Sequence, residues 1–305
     1  MSFIIATGTV LYSIATPSLV VTMIKKENFM LTNRGLEVSR SIAFTLGPSV
    51  GGFLASWFSG VLSFLLSLIL SVSSIYFMIG LPKEKDKLIN DDGVIIKLLE
   101  GMRFITSNKY LKPIVVTSII FNTSWFLLLS IFSFYAINNL NFSPSEVGMA
   151  LGVYGFGMIC GAYIYPRLAK NFNFGSQVTF GPLCAFVASI LMLTTCFTNN
   201  RIFIFIAFFM FGSGPIIWTI STTTLRQIIT PNNLLSRVSS VILTVTFGAR
   251  PLGAALGAYL SASFGVKSCL IAVFTGFLVQ LIVILFTSPA RIKDIELLEE
   301  NKLSL

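Results

Sequence analysis

The sequence predicts an all-α membrane protein. Three observations carry the prediction. Of its 305 residues, 54% are hydrophobic and only 11% charged. The mean hydropathy is +0.85. Nine apolar stretches are each long enough to cross a bilayer as a helix, which needs about 20 residues. A soluble chain of this length could not bury so much apolar side chain.

The nine spans are expected near 3–24, 37–57, 60–81, 113–135, 147–167, 176–197, 202–224, 239–263 and 267–288. The first carries two lysines after its apolar run rather than before it. That polarity is opposite to a cleaved signal peptide, so the segment reads as a retained span. The second and third are separated only by a tight Ser59-Gly60 turn.

The connection 82–112 begins with the charged loop "PKEKDKLINDD". It continues as an amphipathic helix with Ile95, Ile96, Leu99, Met102 and Phe104 on one side and Lys97, Glu100 and Arg103 on the other. Such a helix lies at a membrane surface or serves as a solvated linker. The remaining spans follow one another with short connections. The organisation expected is therefore a three-helix partial bundle (1–81), a linker (82–112), a six-helix bundle (113–288) and a tail (289–305).

Charge sets the expected orientation. The net charge is +9, yet the basic residues do not form a nucleic-acid face. They gather in alternate connections: Lys25, Lys26 and Arg34; the 82–112 connection; Arg167 and Lys170; Arg226 and Arg237; Arg291, Lys293 and Lys302. The positive-inside rule places these in the cytoplasm, with the C-terminus cytoplasmic and Met1 outside. No histidine is present, and the four cysteines fall in apolar runs without a CxxC. No metal site or cofactor is predicted. P-loop, HExxH and Ser–Asp–His patterns are also missing, so the chain does not read as an enzyme.

"GFLASWFSG" (52–60) and "GAYLSASFG" (257–265) share terminal glycines and an interior serine, with Pro48 and Pro251 just upstream. The second and eighth spans are thus counterparts six spans apart, as in parallel-repeat transporters. "LGPSVGGFLAS" resembles the antiporter motif in the fifth helix of the major facilitator superfamily, G-x-x-x-G-P-x-x-G-G. Gly47, Pro48, Gly51 and Gly52 fit it, and Ala43 replaces its first glycine. "LRQIITPNNLLSRVSSVILTVTFGARPLGAALGAYL" and "GVYGFGMICGAYIYPRLAKNFNFG" resemble the tenth-to-eleventh and eighth helices of the branch containing the enterobactin exporter and macrolide-efflux-like proteins.

The resemblance implies the major facilitator fold, with the nine spans as helices four to twelve of twelve. It implies a secondary transporter of the inner membrane, exporting a siderophore-like or amphipathic small molecule by alternating access. The other reading is a truncated, non-transporting remnant or a membrane scaffold. The partners implied are a small-molecule substrate and the lipid bilayer, not nucleic acid. A homo-oligomer or a preceding N-terminal segment would supply the missing half of the first bundle.

Arg250 is the only charge between Val238 and Val266. A charge deep in a span is costly and marks function by default. Three roles stand: attracting an anionic substrate group, pairing with an acid in the missing helices, or capping carbonyls freed by Pro251. By resemblance, Asn122, Trp125, Tyr154, Trp218 and Thr222 lie on cavity-lining helices and could stack on or hydrogen-bond a ligand; belts and packing explain such residues equally. Gly47, Pro48, Gly51 and Gly52, with Pro251, Gly253 and Gly257, form either a rocking contact between bundles or plain tight packing.

Overall fold

The computed structural model describes residues 12, 15–17, 19–57, 60–79, 94–198 and 200–295, by backbone alone at 48–57, 60–64, 67, 75, 77–79, 94 and 95. Their regular structure is entirely helical, with no strand among the described residues. The helices are α1 (Phe29–Trp57), α2 (Gly60–Ile79), α3 (Val94–Ser107), α4 (Leu111–Leu140), α5 (Pro144–Asn171), α6 (Phe174–Thr198), α7 (Arg201–Ile229), α8 (Asn232–Phe264) and α9 (Val266–Leu285).

In lipid every backbone polar group must be satisfied within the chain, which favours long unbroken helices. Six of the described helices, α4 to α9, are long and apolar enough to cross a membrane. They occupy the last six expected spans. The expected spans 37–57 and 60–81 fall on α1 and α2. Most of the expected span 3–24, the loop 80–93 and the tail 296–305 lie outside the described residues.

Several helices run past their apolar cores. α1 starts at Phe29 rather than 37, so Asn33, Arg34 and Glu37 are helical. Each is held by a partner, described below, and no proline interrupts the run. α4 continues through Asn138 and Asn139 to Leu140 and stops at Asn141, whose φ of 55° is left-handed. A left-handed residue at this position ends a helix by turning its carbonyls outward, and asparagine tolerates it. At α5 a complete capping box follows: Ser143 Oγ accepts from Glu146 N, and Ser143 N donates to Glu146. Between α8 and α9, Gly265 takes φ +80°, which a side chain would strain.

α6 packs along α7 and α9, α5 along α7, and α4 along α8 and α9. Glycine makes these contacts close. A Cβ at Gly157 or Gly161 of α5 would stand 2.4 or 2.3 Å from the carbonyl oxygen of Phe209 or Ser213 on α7. One at Gly212 of α7 would stand 2.1 Å from the Tyr154 oxygen on α5. These are backbone-on-backbone contacts, and backbone cannot move aside as a side chain can. At the sparsely charged end, Arg201 bonds Glu146 at 2.9 Å and the Asn141 carbonyl at 3.0 Å, tying α7 to the α4–α5 turn.

α3 docks by one edge. It lies on α8, where Gly101 touches the Arg237 backbone and Glu100 pairs with Arg237. Phe104 and Ile105 pack with Val238 and Val241 beside this ion pair, while Ile96, Leu99 and Met102 are exposed. The early start of α8 at Asn232 carries Arg237 out to meet Glu100.

Gly161→Ala is expected to lower the melting temperature of the detergent-purified protein, at a cost of about 1–3 kcal/mol. Gly152→Ala on the same helix, with open space around it, should be neutral or slightly stabilising. Equal melting temperatures for the two would contradict the packing assigned to α5 and α7.

Candidate functional site

The side chains predicted from sequence divide into two groups. Arg250, Asn122, Trp125 and Tyr154 come together, from α8, α4 and α5. Arg250 Nε donates to Asn122 Oδ1 at 3.0 Å. Asn122 Nδ2 donates to the Ser118 carbonyl at 2.9 Å, which leaves Oδ1 as the atom facing the guanidinium. The guanidinium also lies over the rings of Phe247, 4.1 Å from the centroid, and Phe126, at 5.2 Å. Cation–π contact of this kind stabilises a desolvated cation. The hydrogen bond goes to a side-chain amide, not to a carbonyl freed by Pro251. Among the described residues no carboxylate forms an ion pair with Arg250.

Trp125 stacks on Tyr154, with centroids 4.9 Å apart and planes 16° apart. It is buried, and also packs against Phe208 and Phe211 of α7. Phe44 of α1 meets the Tyr154 ring edge-on at 5.7 Å. An aromatic chain therefore runs from α1 through α5 and α4 to α7, and the guanidinium sits beside it.

Trp218 and Thr222 fall elsewhere. Trp218 packs with the cluster around Phe174, Val178 and Leu225, and its Nε1 is buried without a hydrogen-bond partner among the described residues. Thr222 Oγ1 donates back to the Trp218 carbonyl at 2.8 Å.

Gly253 and Gly257 bring α8 against α4: Cβ atoms there would meet the Thr123 carbonyl oxygen at 2.2 Å and Ser130 Oγ at 2.2 Å. That contact sets Arg250, one turn before Gly253, opposite Asn122, one residue before Thr123. Pro251 is exposed on the other side of the helix. Around a Cβ at Gly47 there is nothing within 4 Å among the described residues. Pro48, Gly51 and Gly52 continue α1, and their surroundings lie outside the described residues. Among the described residues, α1 approaches α5 closely at Gly155, where a Cβ would stand 2.3 Å from Thr45 Oγ1.

Glu37 begins the expected span 37–57. It is only 7% exposed, accepts from Arg40 at 2.7 Å, and lies within electrostatic reach of Tyr154, as Arg250 does. The described part of α1 thus carries one buried carboxylate near the aromatic chain. Its signal in the sequence was the four-residue spacing Asn33, Glu37, Ser41, all three buried. Asn33 Nδ2 bonds Thr224 Oγ1 at 2.9 Å and Gln227 Oε1 at 2.6 Å on α7. Arg34 Nε bonds the Ala162 carbonyl on α5 at 2.9 Å. Val20, Phe29 and Ile228 seal the same end. α1 is therefore docked on α5 and α7 at the end where the basic residues gather.

Among the described residues, no three metal-ligating side chains converge. The cluster offers a guanidinium, an amide, a phenol and aromatic faces, which suit a planar anion or an aromatic ligand.

A sequence model of transmembrane secretion effectors, a family of the major facilitator superfamily, matches residues 1–304. Among solved structures, a bacterial homologue of the iron transporter ferroportin in its outward-facing state is similar at a TM-score of 0.68. The match covers 92% of this chain and 69% of that one at 15% sequence identity, a likeness of fold. No curated protein sequence matches the chain.

Arg250→Ala and Asn122→Ala should each destabilise the purified protein and be non-additive when combined, with a coupling of about 0.5–1.5 kcal/mol. Additive losses in thermal unfolding would show that the two side chains act independently.

Proposed function

The chain belongs to the transmembrane secretion effectors of the major facilitator superfamily, and from that premise we propose that it is a secondary transporter of the cytoplasmic membrane. It exports a siderophore-like or amphipathic small molecule by alternating access, with the basic end in the cytoplasm. Membership supports the transport class and resemblance supports the outward direction. The observation that carries the substrate class is Arg250. Its Nε is spent on Asn122, while the planar guanidinium keeps further N–H donors that can grip a carboxylate or catecholate. The rings of Phe126, Phe247 and Tyr154 beside it suit an aromatic ligand.

The docking of α1 through Asn33, Arg34 and Phe29 supports a conformation closed on the cytoplasmic side. The similar ferroportin homologue is described as outward-facing, which agrees. In the opposite state Asn33 would part from Thr224 and Gln227, and water would take up those hydrogen bonds. That exchange costs little net free energy, because a hydrogen bond to water replaces each one lost. A contact of this kind suits a gate that opens and closes in every cycle.

Cells expressing the protein should retain less catecholate siderophore or amphipathic dye than control cells. Arg250→Ala should restore retention, and Arg250→Lys should fall between. Unchanged efflux by a normally expressed Arg250→Ala protein would overturn the role given to this residue. A bifunctional thiol reagent bridging an Asn33→Cys, Thr224→Cys pair should stop efflux. Continued efflux after complete bridging would show that the latch does not open during the cycle.

A further inference from the structure

A concave site lies away from Arg250, where α4 begins and α9 ends. It is a cavity of about 350 Å³ lined by Lys109, Tyr110, Ser288, Arg291, Lys293 and Asp294, with Ile292 behind them. Three cations therefore face one carboxylate in a single hollow. Basic residues are expected at this end of the bundle on topological grounds alone, but a topological belt would not be held in one shape. This one is. After α9 the chain folds into a short turn, Ser288–Arg291, and is pinned to α6. Gly175 N donates to the Ile292 carbonyl at 2.7 Å, and Phe174 N to the Lys293 carbonyl at 3.3 Å. A Cβ at Gly175 would stand 2.1 Å from the Ala290 carbonyl oxygen, so only glycine admits the turn. Pro289 and Ile292 are buried, while Arg291 and Lys293 are exposed. Burial thus alternates with charge, and the anchored residues present the cations.

The hollow also has an apolar approach. Val279, Ile282, Leu285 and Phe286 are exposed, and they lead down α9 to Ser288. Val279, Ile282 and Phe286 recur at three and four residues, one helical face. A hollow of phosphate-seeking cations at the foot of a lipid-exposed apolar stripe has the two-part chemistry of a phospholipid. Basic pockets beside transmembrane helices on the cytoplasmic side are suited to anionic head groups.

We infer that this cavity binds the head group of an anionic glycerophospholipid of the cytoplasmic leaflet, with its acyl chains along the Val279–Phe286 face of α9. Lys109, Arg291 and Lys293 hold the phosphate, and the Tyr110 and Ser288 hydroxyls offer hydrogen bonds to the glycerol. The placement in the cytoplasmic leaflet rests on the orientation proposed above. Free phosphate shares the polar chemistry but has no use for the apolar stripe.

The test is native mass spectrometry of the detergent-purified protein with phosphatidylglycerol or phosphatidylcholine of matched chains. The wild type should retain phosphatidylglycerol preferentially. The Lys109→Gln, Arg291→Gln, Lys293→Gln protein should retain it about 10-fold less or weaker still, from the loss of three charges near the head group. Lys25→Gln, Arg167→Gln, Lys170→Gln, an equal charge loss elsewhere, should not. Because the triple variant could misfold, Lys109→Arg, Lys293→Arg provides a charge-keeping check and should bind like the wild type. Equal losses in both triple variants, or no lipid preference in the wild type, would overturn the site. Displacement of phosphatidylglycerol by millimolar inorganic phosphate would overturn the lipid as its occupant. This readout requires neither efflux nor orientation, so its failure leaves the transport reading standing. Labelling of Lys293→Cys by an impermeant maleimide added outside intact cells would overturn the leaflet and the proposed orientation, without touching the binding result.

Discussion

The structure depends on the contact of α7 with α5. A helix in lipid gains nothing by burying leucine against leucine, because the lipid is equally apolar. What remains is close packing, and the closest packing open to two helices is backbone on backbone. Gly157, Gly161 and Gly212 permit it, and in each case the neighbour is a carbonyl. Gly181 and Gly214 make similar room between α6 and α7, where added Cβ atoms would meet Trp218 Cβ and Cys184 Cβ. α7 is thereby fixed between two neighbours, and its side chains become reference points for the rest.

The aromatic chain and the latch both depend on that reference. Tyr154 lies on the same helix as the glycines, so the contact that places Gly157 also aims the Tyr154 ring at Trp125. Phe208 and Phe211 reach Trp125 from α7. On the far side, Gly155 opens a seat for Thr45, which brings Phe44 onto Tyr154. Asn33 then finds Thr224 and Gln227 about three turns along the helices from the aromatic chain. One run of glycines in "GVYGFGMICGAY" thus faces α7 with two of its members and α1 with a third. In the proposed cycle, the first contact stays and the second is exchanged.

Polar groups are used sparingly, and each has a local job. Tyr165 donates to Gln177 at 3.2 Å and receives from Ser221 at 3.4 Å, linking α5, α6 and α7. Arg201 closes the opposite end on Glu146. Arg250 is the exception, a cation in an apolar stretch whose described hydrogen bond is to a neutral amide. Its cost is offset by two aromatic faces and partial exposure, which leaves the group stable and still able to take a ligand.

Much was legible in the sequence. Apolar length alone located α4 to α9, because a helix that must satisfy its own backbone in lipid leaves an unbroken hydrophobic run. Arg250 stood out by contrast, and Gly253 and Gly257 stood out as small residues one turn apart, which the structure sets against α4. Other features were decided only by tertiary structure. Hydropathy could not see α1 beginning at Phe29, since Asn33, Arg34 and Glu37 are polar and become helical because α5 and α7 supply partners. Nor could the amphipathic pattern of α3 name its partner, because Glu100 meets Arg237 from another helix. Trp125 and Trp218 looked alike in sequence, yet one joined the Arg250 cluster and the other packed elsewhere. The sequence by itself determined which segments are apolar helices. Which side chains meet was settled by the glycine contacts, because small residues set the distance and rotation at which helices pack.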